Sequence, residues 1–292
     1  MSREHREFAR GMITKGDLGL TPAQQREGFD ELFADRPLGD DVTLRLRTLG
    51  GRPALDVLVE GADRDGVILY LHGGGYSIGS ARTGANLAAP LARSTGVPAV
   101  SLEYRLAPEE PFPAAVDDAL AAYEELLAAG QKVVLAGDSA GGGLALALLL
   151  AARRAGLPLP VGAVLYSPWT DASLSGGSMD SRGEFDPLFT RAHMKESADW
   201  YVGGGDPRDE LASPLFAELT GLPSLLIQVG SAEVLLDDSL RLAVHAAENE
   251  VDVSLDVVAG APHVFQYFVG MMSEADEALE RAAAFVTRRL AD

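Results

Sequence analysis

Ser139 stands between Gly137 and Gly141, in the run Gly137-Asp138-Ser139-Ala140-Gly141. An apolar stretch, 132–136, precedes it and a helical one, 142–152, follows. A serine at a sharp strand-to-helix turn has its hydroxyl exposed at a helix N-terminus. The residues two before and two after are crowded, so glycine is required there. The chemistry this offers is nucleophilic attack on an acyl carbon, which needs a base, an acid to orient the base, and donors for an oxyanion. His72-Gly73-Gly74-Gly75 directly follows the apolar run 66–71 and supplies a loop whose backbone can approach a ligand closely. Such a loop can aim several N–H groups at a developing oxyanion. The expected donors are the N–H groups of Gly73, Gly74 and Ala140.

Only five histidines exist, and the base must be one of them. His263 follows the strand-like run 253–258 and the turn Gly260-Ala261-Pro262, later in the chain than the serine, and is the expected base. His5 lies in a polar terminus, His193 in a glycine-interrupted region and His245 on a helical stretch. The acid must lie between Ser139 and His263. The strand-like run 224–229 ends at Gly230, and the loop after it offers Glu233, with Asp237 as the alternative. Asp237 and Asp238 fall at a helix start, where carboxylates cap N–H groups. Asp138 is excluded as the acid, because neighbours on a sharp elbow point in different directions.

Taken in order, His72-Gly-Gly-Gly-Tyr76, Tyr104-Arg-Leu-Ala-Pro-Glu109, Gly137-Asp-Ser-Ala-Gly-Gly142 and Pro262-His263 resemble the bacterial hormone-sensitive-lipase-like carboxylesterases of the GDSAG type. The resemblance runs over residues 65–266. It implies an α/β-hydrolase fold with a helical cap, and hydrolysis of carboxylic esters with no cofactor and no metal. It also implies a structural imidazole at His72. In the family pattern an aspartate often stands after the corresponding strand, four residues before a second acid. Here Glu233 takes that place, one methylene longer, and Asp237 is the second acid.

The positioning elements follow an alternating pattern of short β-like runs and helical stretches, which points to a mostly parallel α/β sheet flanked by crossover helices. Strands are expected at 42–49, 54–59, 66–71, 98–102, 133–136, 161–166, 224–229 and 253–258. Helices are expected at 22–33, 84–95, 114–129, 142–155, 236–248 and 273–290. Residues 171–213 break the rhythm with glycine pairs and no strand. They read as an insertion over the carboxyl ends of the strands, where ligands bind in such sheets. The expected organisation is an N-terminal cap segment at 1–40, a catalytic core at 41–170 and 214–292, and a cap insertion at 171–213. Arg105 and Glu109 are expected in a structural network. Trp169, Asp171, Trp200 and Tyr201 are read with equal weight as lining an acyl pocket or as cap packing.

Composition sets limits. The chain has 292 residues, 47% hydrophobic and 23% charged, with a net charge of -19. That balance argues against nucleic acid, anionic membrane surfaces and strongly anionic substrates as partners. With no cysteine there is no disulfide framework and no thiolate chemistry, which suits the cytoplasm. Residues 1–10 are polar and carry no signal-peptide pattern. The apolar run 144–152 is too short to span a bilayer. The expected partner is a small-to-medium uncharged ester, lactones included, with a homodimer through a terminal sheet edge as an expectation from architecture. A non-catalytic small-molecule receptor on the same fold, and an amidase or peptidase on the same residues, are the competing readings.

Overall fold

A computed structural model describes residues 20–34 and 36–292, with the side chains of 32–34 left aside. The first nineteen residues, which include His5 and much of the expected N-terminal cap segment, lie outside the described residues.

Eight strands form one sheet in the order β1-β2-β4-β3-β5-β6-β7-β8. They are β1 (Val42–Leu49), β2 (Arg52–Val59), β3 (Val67–Leu71), β4 (Ala99–Leu102), β5 (Val133–Asp138), β6 (Gly162–Tyr166), β7 (Leu225–Gly230) and β8 (Val253–Val258). β2 pairs antiparallel with β1 and β4, and every later pairing is parallel. Every residue of β3, β5, β6 and β7 is buried, as befits parallel strands covered on both faces. β8 is an edge strand and is only partly covered.

The helices are α1 (Pro22–Ala34), α2 (Ala81–Thr95), α3 (Ala114–Ala128), α4 (Ala140–Arg154), α5 (Ser178–Ser181), α6 (Arg191–Val202), α7 (Leu236–Glu248) and α8 (Ser273–Ala291). α2 starts three residues earlier than its sequence suggests. Ser80 caps it through a reciprocal capping box with Thr83, a stronger start signal than the Gly84 that masked it. α4 is buried all round from Ala140 to Ala152, and the five leucines Leu144, Leu146 and Leu148 to Leu150 are fully inaccessible. Each such leucine contributes about 2 kcal/mol of burial, which fixes the helix that carries the elbow.

No strand occurs between residues 171 and 213, and the two ends of that segment meet. The Ala172 N–H donates to Ser213 Oγ at 2.7 Å, and the Leu215 N–H to the Thr170 carbonyl at 3.2 Å. α1 lies against the same region. Gln25 Nε2 donates to Glu196 of α6 at 3.4 Å, and Arg26 Nε to the Ser77 carbonyl at 2.8 Å. Among the described residues no helix is long and apolar enough to cross a membrane.

Candidate active site

Ser139 ends β5 and opens α4 with φ 52° and ψ -120°, a left-handed backbone that costs a serine on the order of 1–3 kcal/mol. Three backbone bonds hold it there: its N–H donates to Tyr166 O at 2.8 Å, and its carbonyl accepts from Trp169 at 2.9 Å and Gly143 at 3.1 Å. The flanking glycines are required by contact. A Cβ on Gly141 would lie 2.0 Å from the Leu71 carbonyl, and one on Gly137 would lie 2.4 Å from the Gly141 carbonyl. The elbow is therefore seated directly on the end of β3, from which the glycine loop departs.

In that loop, His72 is fully buried and stacks on Tyr104 at 4.1 Å, with an interplanar angle of 11°. Its Nδ1 lies 2.8 Å from the Gly73 carbonyl, and the Tyr104 hydroxyl donates to the His72 carbonyl at 2.6 Å. Burial pushes the His72 pKa down to about 4, so this ring is neutral at pH 7 and serves to brace the loop.

The expected donor set needs correction. The Gly73 N–H donates to Asp138 Oδ1 at 3.0 Å, so it is occupied. Asp138 is a buried residue that also accepts from Tyr70 Oη at 2.8 Å and Tyr267 Oη at 3.4 Å. Burial raises its pKa to about 6 against these bonds. The N–H groups of Gly74, Gly75 and Ala140, in contrast, meet no acceptor among the described residues. Gly74, at φ +113°, turns the chain so that its carbonyl is spent on Ser77 and Ile78.

His263 and Glu233 come together from the loops after β8 and β7. Nδ1 of His263 lies 2.5 Å from Glu233 Oε2. Glu233 is fully buried, and its Oε1 accepts from Ser167 Oγ at 2.8 Å and the Gly230 N–H at 2.7 Å. With Nδ1 engaged, Nε2 is the ring atom left for proton transfer, and it is buried with no hydrogen-bond partner among the described residues. Burial alone would lower the pKa of His263. The charge and hydrogen bond of Glu233, with the more distant Asp186 and Asp138, outweigh burial and raise it. Asp237 lies elsewhere. Its Oδ2 accepts from the Ser178 N–H at 2.8 Å, so it fastens α5 to α7. His193 and His245 are engaged with Thr190 and the Ala217 carbonyl.

Three residues beside this pair were not legible in the sequence. Ser167, at φ 45°, donates to Glu233 and accepts the Val264 N–H at 3.1 Å, so it links the acid loop to the base loop. Asp186 and Phe189, from the insertion, stand beside the same pair; the Phe189 ring lies edge-on to His263 at 5.2 Å. A serine after a strand and an Asp-Pro step in a loop are too common to have signalled either role.

The aromatic residues divide. Trp169 is buried beside Tyr76, and Tyr76 stacks on Tyr201 of α6 at 3.7 Å, with an interplanar angle of 5°. Trp200 is half-buried with no aromatic partner among the described residues. Asp171 is a packing element: it accepts from Ser173, Ser175 and Arg241. Arg105 pairs with Asp118 and Glu109 with Arg26, so the expected Arg105–Glu109 network is two separate ones.

A family model described as alpha/beta hydrolase fold matches residues 68–267. The chain is 45% identical over 232 residues to an acetyl-hydrolase of Streptomyces hygroscopicus, covering 78% of each protein. It is 34% identical over 281 residues to an esterase of Acinetobacter venetianus, covering 94% of this chain and 91% of the relative. A crystal structure of an esterase from the bacterial hormone-sensitive lipase family superposes with a TM-score of 0.94 at 40% identity, over 99% of both chains.

Proposed function

The chain belongs to the alpha/beta hydrolase family, among its bacterial hormone-sensitive-lipase members, and is a carboxylic ester hydrolase; from that premise we propose that Ser139 is its nucleophile, His263 its base and Glu233 its orienting acid. The carrying observation is the buried 2.5 Å contact between His263 Nδ1 and Glu233 Oε2, which leaves Nε2 as the atom that accepts the Ser139 proton. Ser139 Oγ attacks the ester carbonyl, and the tetrahedral oxyanion is received by the unoccupied N–H groups of Gly74, Gly75 and Ala140. Protonated His263 then gives its proton to the leaving alcohol. Water repeats the sequence on the acyl-enzyme and releases the acid.

Residues 20–34 and 171–213 act as a cap in this reading, which the contact of α6 with Tyr76 and of α1 with α6 supports. The substrates are small-to-medium uncharged acyl esters. The test is hydrolysis of p-nitrophenyl esters across a chain-length panel, with fluorophosphonate labelling of the purified protein. Short-chain esters should be cleaved, and Ser139→Ala should lose both cleavage and labelling. Undiminished cleavage by Ser139→Ala would sink the reading.

A further inference from the structure

Asp186 is a single buried carboxylate in a stretch of the insertion that is otherwise exposed or half-buried. Glu184 and Phe185 before it are exposed, whereas Asp186 is 1% accessible. No cation pairs with it among the described residues. Its charge is instead met by three backbone N–H groups. Oδ1 accepts from Leu188 at 2.8 Å and Phe189 at 2.9 Å, and Oδ2 accepts from Val234 at 2.8 Å.

The first two bonds are what an aspartate makes in any tight turn, and alone they would mean no more than local loop geometry. The third crosses from the insertion to the loop after β7. Its donor, Val234, is the residue immediately after Glu233. The same carboxylate thus holds the backbone next to the acid and the backbone of Phe189, whose ring lies edge-on to His263 with an interplanar angle of 80°. Both neighbours of the imidazole converge on one side chain.

We propose that Asp186 is a positioning residue for the triad: it pins the insertion to the acid-bearing loop, holds the Phe189 edge against His263, and places a second negative charge behind the imidazolium that forms during turnover. The inference rests on the triad assignment above. Three carboxylates then face His263, each from a different element: Glu233 from the loop after β7, Asp138 from the elbow and Asp186 from the insertion. Removing Asp186's charge withdraws one of the influences that favour protonated His263. The base should then titrate at lower pH.

Asp186→Asn separates this role from a merely structural one. An amide can still accept from Leu188 and Phe189, but its Nδ2 then faces the Val234 N–H, so the crossing bond is lost. The acid limb of the kcat/KM profile on p-nitrophenyl acetate should move to lower pH. kcat should fall on the order of tenfold with KM little changed, the cost of a slightly misplaced base. Asp186→Glu, which keeps the charge, should return the limb to its parental position. Should Asp186→Asn not fold, Asp186→Ser takes its place, neutral but still able to accept one N–H. An unmoved acid limb in the folded neutral variant overturns the proposal, whatever happens to kcat. Fluorophosphonate labelling keeps the two questions apart: a variant with an unmoved limb whose Ser139 still labels refutes the role of Asp186 alone, whereas loss of the triad reading would show as activity in Ser139→Ala.

Discussion

Asp138 and Gly73, sixty-five positions apart, are joined by a 3.0 Å hydrogen bond from the Gly73 N–H to Asp138 Oδ1. The residue that precedes the nucleophile therefore fixes the start of the glycine loop. The same carboxylate oxygen accepts from the Tyr70 hydroxyl of β3 at 2.8 Å. One turn thus carries Ser139 and anchors the glycine loop.

Asp138→Ala leaves the Gly73 N–H and the Tyr70 hydroxyl buried without an acceptor. Each orphaned group costs about 1–3 kcal/mol, so a loss of about 2–6 kcal/mol in urea unfolding is expected. The loop also loses its anchor, and kcat should fall by on the order of 10²-fold through displaced donors, with KM changing less.

Glu233→Gln and Asp237→Asn distinguish the two acids. The glutamine keeps an acceptor for Ser167 and Gly230 but no longer stabilises the imidazolium, so kcat should fall by roughly 10³-fold or more. The acid limb of kcat/KM should move to lower pH, because the parental His263 pKa is raised by Glu233 against burial. Asp237→Asn loses only a cap on α5 and should stay within about threefold of the parent, with a stability cost of about 1 kcal/mol. The reverse ranking in steady-state kinetics would reassign the acid.

Asp238 gives a stability signature. Its carboxyl is fully buried, and its Oδ2 accepts from the Thr170 and Asp171 N–H groups. Burial raises its pKa from 3.8 to about 8. A raised folded pKa means that the folded state holds a proton the unfolded chain has released. Its contribution is whole below pH 4 and drains away as pH rises towards 8. Thermal melts of the parent and Asp238→Asn between pH 4 and 9 should show the parent losing ground to the variant as pH rises. Parallel curves would place the proton elsewhere.

Gly141→Ala sets a Cβ 2.0 Å from the Leu71 carbonyl, a backbone atom at the root of the oxyanion loop. Neither side can yield cheaply. Soluble yield and activity should both collapse, whereas Gly130→Ala, with nothing within 4 Å of its Cβ but a φ of +74°, should cost only about 1 kcal/mol.

Ser139, His263 and Glu233 stand out in the sequence because each sits just past an apolar run whose period and length mark a strand, with glycine or proline marking the turn. The donors were less legible. Which N–H of three glycines is free depends on Gly74 and Gly75 at positive φ and on a carboxylate from another strand. Ser167 and Asp186 act through contacts across 66 and 48 positions of sequence, and no local pattern records such a pairing. Arg105 and Glu109 are expected in a structural network, but the sequence does not say with whom; their partners lie on different helices, Asp118 on α3 and Arg26 on α1.

The bond between Ala172 and Ser213 closes the stretch between them into an excursion whose two ends meet in the chain that follows β6. Nothing in the sheet has to stretch or shift to accommodate a longer, shorter or differently shaped excursion. In the proposed cap reading, selectivity is carried on this excursion, and a graft of foreign loop at these two residues should change the range of esters cleaved. On the role proposed for Asp186, such a graft has to return a carboxylate to the Val234 N–H.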